Sequence, residues 1–250
     1  MSRLYMLDES EDIAKVGSLG AHLAMLSKAG FRIVSGFIIP SGFALIDGMS
    51  NEILRSFDRL ESRSVVLRAS LSSHDLDGEV IRDVKRDVLL DTVTYVQKNA
   101  ARHGRNAAII IQKNLAAETA GTIHSINPVT KDAKEVLIEA NLWMGDTVLG
   151  GENTPDMILV DKNTGSLALE SEEESEICLT PEQVQQLHRV VCKVEKITHG
   201  PVSVDWAYDN GILYILRARP LNQKRFEEYQ IWPKLYTQLG WYSKKTAKFY

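Results

Sequence analysis

Two strand-like runs flank a tight turn near the end of the chain, and they limit the fold more than any other feature. Val202-Ser203-Val204-Asp205-Trp206-Ala207-Tyr208 alternates with period two. Ile212-Leu213-Tyr214-Ile215-Leu216-Arg217-Ala218-Arg219-Pro220 returns after Asp209-Asn210-Gly211. An Asn-Gly pair accepts positive φ at both central positions of a hairpin turn, whose twist matches that of the strands it joins. The pattern predicts an antiparallel hairpin. Together with helical segments elsewhere, it points to an α+β or mixed α/β fold and away from a doubly wound parallel sheet.

Helical spacing of Leu19, Leu23 and Leu26 follows the small-residue stretch Val16-Gly17-Ser18-Leu19-Gly20, and Gly30 suits a C-terminal cap. Phe31 to Pro40 reads as a short strand stopped by proline. Val65 to Arg68 reads as another, entering a polar turn over Ala69 to Asp75. A helix is predicted over about 79–99, then a loop at His103 to Asn106. Strands are predicted at Ala107–Gln112, Ala120–Ser125, Glu135–Ala140 and Met157–Val160. The acidic run Glu170, Glu172, Glu173, Glu174 and Glu176 reads as a solvated loop. Thr180-Pro181-Glu182-Gln183 has the residues of a capping box with proline at the first helical position. Val184, Leu187, Val191, Val194 and Ile197 then line one helix face.

Composition excludes several classes. The chain has 250 residues, 44% hydrophobic and 25% charged, which suits a globular protein with a real core. A net charge of −4 argues against bulk attraction to polyanions. Two cysteines, Cys178 and Cys192, form no redox or metal spacing, and the six histidines show no metal-ligand pattern. Acidic residues arrive early, before any signal-like apolar run, and no stretch is apolar enough for a membrane span. A cytoplasmic protein is expected. Residues 221–250 differ from the rest: they carry six Lys or Arg, two Glu and eight of the 18 aromatic residues. This tail is expected to dock on its own domain or on a partner rather than on nucleic acid or a membrane.

The residues that invite chemistry are polar ones set into apolar runs. They are Arg68 at the end of a strand, Glu139 after Val136-Leu137-Ile138, Asp205 in Val204-Asp205-Trp206, and Arg217 and Arg219 alternating with Leu216 and Ala218. Buried or half-buried charge requires partners. Such groups on one sheet face suit a triphosphate and its magnesium. Internal salt bridges and solvent-facing strand positions would give the same spacing.

Four blocks carry a resemblance to the N-terminal ATP-binding domain of the phosphoenolpyruvate synthase and pyruvate phosphate dikinase family. Val16-Gly17-Ser18-Leu19-Gly20-Ala21-His22-Leu23, with Ala29-Gly30 and Gly36-Phe37, resembles the family's V-G-G-K-G-A-N-L opening. Arg68-Ala69-Ser70-Leu71-Ser72-Ser73-His74-Asp75-Leu76 resembles V-R-S-S-A-x-x-E-D-L. Gln112 to Gly121, Ser125, Pro128, Thr130, Glu139, Gly145, Gly151, Pro155 and Asp156 resemble its long central stretch. Val204-Asp205-Trp206-Ala207 with Leu213 to Pro220 resembles D-I-E-W-A…L-Y-I-L-Q-A-R-P. The resemblance implies an ATP-grasp-like α+β fold, two lobes of mixed or antiparallel sheets with a cleft between them. It implies phosphoryl transfer from ATP, with magnesium, to a carrier histidine. That histidine is expected in trans, because the family's carrier motif is not in this sequence. Arg68 and Arg219 would hold phosphates as catalytic residues and Asp205 would bind magnesium. Gln112, Glu139, Asp146 and Arg217 would lie at the nucleotide. The lobes are expected at 1–106 and 107–220, with the tail at 221–250.

Departures fall on functional positions. Leu19 stands at the family's phosphate-contacting lysine, Ser203 at the first carboxylate of D-I-E, and Arg217 at the glutamine of Q-A-R. Asn114 replaces a methionine, His124 a phenylalanine, and His74 a glutamate. The interval between Asp75 and Gln112 is shorter than the family's, and only Gly78 stands where a phosphate loop would lie. Loss of a lysine and a carboxylate weakens both metal–ATP binding and transition-state stabilisation. A catalytically degenerate nucleotide-binding or scaffolding module is therefore the competing expectation.

Overall fold

In the computed structural model, residues 3–43, 47–72, 78–102, 106–142, 155–167 and 178–222 are described. The chain divides into two units. The first comprises Met1–Ala116 and Tyr214–Arg217, the second Ala117–Leu213 and Ala218–Tyr250. Each has a five-stranded sheet, and the α+β class expected from the hairpin is what the chain adopts.

The first sheet runs in the order β1 (Tyr5–Met6), β2 (Gly36–Ile39), β5 (Ala107–Lys113), β3 (Val65–Leu71), β4 (Val80–Val84), every pairing antiparallel. Its centre is β5, whose run of alanine and isoleucine can be apolar throughout because both sheet faces are covered. One face packs Phe37, Ile39, Leu67, Ile109 and Ile111 with residues of α2 (Asp47–Arg59) and α3 (Leu89–Arg102). The other packs Ile38, Ala108 and Ile110 with Val16, Ala21 and Leu23 of α1 (Ile13–Lys28).

The second sheet runs β10 (Ile212–Pro220), β9 (Val202–Asp209), β6 (Thr119–His124), β7 (Glu135–Leu142), β8 (Asp156–Asp161). The β9–β10 turn forms as predicted, with Asn210 at φ 51° and Gly211 at φ 70°. Trp206 and Tyr208 are buried and meet edge to face at 5.7 Å between ring centres. The Tyr208 hydroxyl donates to Gln186 Oε1 of α4 (Pro181–Thr198) at 3.0 Å, which fixes this as the helix-covered face of the sheet. Helix α4 starts on the expected capping box: Thr180 Oγ1 accepts from the Gln183 amide, and Gln183 Oε1 accepts from the Thr180 amide.

Several expectations required correction. The segment read as one helix over 79–99 begins as strand β4 and continues as a single 3-10 turn, Arg86–Val88. Helical burial starts only with Leu89, Val93 and Val96. Val80, Ile81 and Val84 instead pair with β3, and Asp83 at φ 52° lies where that register shifts. The turn expected from Ala69 is strand as far as Leu71. The strand expected from Phe31 is regular only from Gly36, with Ile33 making an isolated bridge to Ile215. Helix α2, which no expectation covered, buries Ile53 and Phe57. The first unit runs on through β5 to Ala116, because β5 pairs with β2 and β3 in the first sheet. Most of the aromatic tail lies outside the described residues.

Candidate functional site

In the first unit the polar features gather where α1 meets β3. Helix α1 is interrupted at Gly17, whose φ of 69° and ψ of 174° are not helical. A side chain there would run into the Ser70 carbonyl and hydroxyl, so glycine is required for both conformation and space. The Gly20 amide donates to Ser70 Oγ at 3.1 Å, and Ser70 is buried. The glycine-rich opening and the arginine–serine block, far apart in sequence, are thus joined by a direct hydrogen bond. Leu19, at the family's lysine position, packs against the apolar cluster of Val16, Leu23 and Ile110. Arg68 is half-buried on β3, and its Nη1 donates to the Leu216 carbonyl at 3.1 Å. Gln112 is buried, and its side-chain amide donates to the Val34 carbonyl at 3.0 Å, bracing the segment that leads into β2.

The second unit presents a different kind of site. Side chains alternate across a strand. With Val204, Trp206 and Tyr208 turned to α4, Ser203 and Asp205 stand on the opposite face. Thr122 is the pairing partner of both Asp205 on β9 and Glu139 on β7. Its hydroxyl donates to Asp205 Oδ1 at 3.1 Å. Arg219 Nη2 reaches Asp205 Oδ1 at 3.2 Å and Oδ2 at 3.3 Å. Both contacts come from one nitrogen. They are longer than the about 2.7–2.9 Å of a strong charge-assisted bond, so this is a loose pair rather than a guanidinium fork. The Arg219 and Asp205 side chains are 18% and 24% exposed, enough for a ligand to reach them.

Beside this pair sits His124, completely buried. Its Nδ1 lies 2.8 Å from Ser203 Oγ, and its Nε2 lies 3.8 Å from Glu139 Oε1. A carboxylate near Nε2 favours the tautomer with the proton there, so that the Ser203 hydroxyl donates to Nδ1. Two departures from the family pattern, His124 and Ser203, therefore touch each other. Spacing alone does not reveal this, because the two residues are brought together only by the β6–β9 register, His124 opposite Ser203.

The structure brings Asp205 and Arg219 into contact and sets Glu139 on the same sheet face. Arg68 and Gln112 belong to the first unit. Arg217 is half-buried on β10 within the segment grouped with the first unit. Asp146 lies outside the described residues, as does His74. Thr122 is the functional candidate that spacing did not single out; its alternation with His124 on β6 was the available signal.

The chain matches the family model described as pyruvate phosphate dikinase, AMP/ATP-binding domain, over residues 78–176 and 163–238. That is more than half of the sequence, and the chain belongs to this family. It is 26% identical to "Uncharacterized phosphotransferase YvkC" of Bacillus subtilis, over 86% of this chain and 34% of that protein. It is 28% identical to "Probable phosphoenolpyruvate synthase" of Methanocaldococcus jannaschii, over 52% of this chain and 13% of that protein. The chain thus spans about a third of the first relative's length and about an eighth of the second's. Among solved structures, D-alanine–D-alanine ligase from Bacillus anthracis complexed with ATP aligns over 91% of this chain and 71% of that one, at 11% identity and a TM-score of 0.48. Membership places the chain in a family of ATP-using phosphotransferases. No helix among the described residues is long and apolar enough to cross a membrane.

Proposed function

We propose that this chain binds ATP and donates its phosphoryl group to a histidine on a separate carrier domain or protein. The observation that carries the proposal is the partly exposed Asp205–Arg219 pair on the face of the second sheet turned away from α4, at the positions where the family's motif has a metal carboxylate and a phosphate arginine. The planar guanidinium of Arg219 can fork onto phosphate oxygens, and its contacts with Asp205 are long enough to exchange. The Asp205 carboxylate is a hard oxygen ligand on a solvent-reachable strand, which suits magnesium. Bound there, the ion would neutralise phosphate charge; the chain's own residues orient the nucleotide and stabilise the transferring group. Arg68 and Arg217 are assigned to phosphate contact, and Gln112, Glu139 and Asp146 to the surroundings of the nucleotide.

A second reading, a nucleotide-binding module without transfer activity, is favoured by two observations. Leu19 is part of an apolar cluster rather than a phosphate contact, and Ser203 is bound to His124. Calorimetric titration of ATP with and without magnesium, followed by incubation of [γ-32P]ATP with a carrier-domain protein, separates the two. Binding with label on a histidine supports the transferase. Binding without label supports the binding module. No binding at millimolar ATP contradicts both.

A further inference from the structure

We propose that Thr122 is a positioning residue: its hydroxyl fixes the Asp205 carboxylate and, through it, the place from which Arg219 meets a phosphate. The inference rests on the nucleotide reading above and adds the residue that prepares its arginine. It requires no metal ion.

The contacts start on β6. Thr122 is half-buried and stands directly opposite Asp205 of β9, so both side chains leave the same face of the sheet. The Thr122 hydroxyl has a second carboxylate residue opposite it, Glu139 of β7, yet it donates to Asp205 Oδ1 at 3.1 Å. Arg219 Nη2 then lies 3.2 Å from Oδ1 and 3.3 Å from Oδ2. The nearly equal distances centre this nitrogen on the carboxylate, so the carboxylate's orientation sets the guanidinium's position. The last torsion of an aspartate is broad and has no sharp preference of its own. Threonine is stiff at χ1, because its Cβ carries two heavy atoms. A stiff donor thus pins a soft acceptor, and the acceptor places the arginine. The strands beneath are held in register at the next pair on this face, where His124 Nδ1 lies 2.8 Å from Ser203 Oγ and both residues are buried. Two effects oppose each other when phosphate arrives. Asp205 competes for the arginine, but long contacts in a pair that is 18% and 24% exposed hold it weakly. Ordering a loose arginine on the ligand would cost more, and the pinned carboxylate removes that cost in advance. Pre-ordering therefore outweighs competition, and Thr122 strengthens binding.

The test is a double-mutant cycle on the full chain, read by calorimetric titration with magnesium and a non-hydrolysable ATP analogue. Thr122→Val keeps the shape and removes the donor, so the analogue should bind about three- to fivefold more weakly. Thr122→Ser restores the hydroxyl and should return affinity to within about twofold of the natural chain. In the Arg219→Met background, Thr122→Val should add nothing, because its effect passes through the arginine. A merely structural role would weaken binding by the same factor in both backgrounds. Each variant is checked for a native circular dichroism spectrum, and Thr122→Ala carries the same prediction should Thr122→Val not fold. Unchanged or tighter binding by Thr122→Val overturns the proposal, since Asp205 would then only compete for the arginine. Factors that multiply in the double variant overturn it too, as does a Thr122→Ser variant as weak as Thr122→Val. If the natural chain does not bind the analogue, or Arg219→Met binds it equally well, the nucleotide reading itself fails and this inference falls with it.

Discussion

The two units build polar sites by different means. In the first, the corner of α1 and β3 is made by backbone: Gly17 in a left-handed conformation, the Gly20 amide on Ser70, and Arg68 bound to a carbonyl. In the second, the sheet face is made by side-chain charge: Asp205, Arg219, Glu139 and the His124–Ser203 pair. A backbone site is fixed by shape and loses stability when a Cβ intrudes. In a charge site the partly exposed members, here Asp205, Arg219 and Glu139, matter more for ligands than for folding.

The largest effect should come from breaking the backbone corner. Gly17→Val places a β-branched residue at positive φ and against the Ser70 carbonyl. It should cost about 3–5 kcal/mol in urea unfolding, with ATP affinity falling only as the fold is lost. The second unit should behave in the opposite way. Arg219→Met keeps the stem of the side chain and removes the charge, so ATP should bind at least about tenfold more weakly, roughly 1.4 kcal/mol, by calorimetry. Its melting temperature should stay close to that of the natural chain. Comparable stability losses for both variants would erase the distinction.

Smaller effects test whether the helix behind the second sheet is independent of the charge face. Thr180→Ala removes the α4 cap and should cost about 1 kcal/mol of stability with ATP affinity unchanged. The smallest concerns the two cysteines, both outside the charge face. Burial, reinforced by Asp156, pushes the Cys178 thiol up to about 12, and burial also raises that of Cys192. Both should react with a maleimide at pH 7.5 far more slowly than glutathione does, and modification by mass spectrometry at the glutathione rate would contradict it.

How far the sequence showed this arrangement depends on the range of the signal. The β9–β10 hairpin and the α4 capping box are local, a few residues each, and both form where the sequence places them. The segment 79–99 misled because Leu89, Val93 and Val96 give a true helical stripe, while β4 just before it acquires its identity only by pairing with β3. The Asp205–Arg219 contact was legible as two charges in neighbouring alternating strands. The His124–Ser203 contact was not, since each residue alone is a departure from a motif, and only the register of β6 on β9 turns two departures into one hydrogen-bonded pair. Likewise the division at Ala116 follows from where β5 pairs, and no composition change marks it.

The central claim is that ATP is held on the charge face of the second sheet. Amide hydrogen exchange of the full chain with and without magnesium–ATP tests it most directly. The account predicts added protection in β6, β9 and β10 around Thr122, Asp205 and Arg219, abolished by Arg219→Met. Unchanged exchange in those strands while ATP is bound, or protection that survives Arg219→Met, would contradict it.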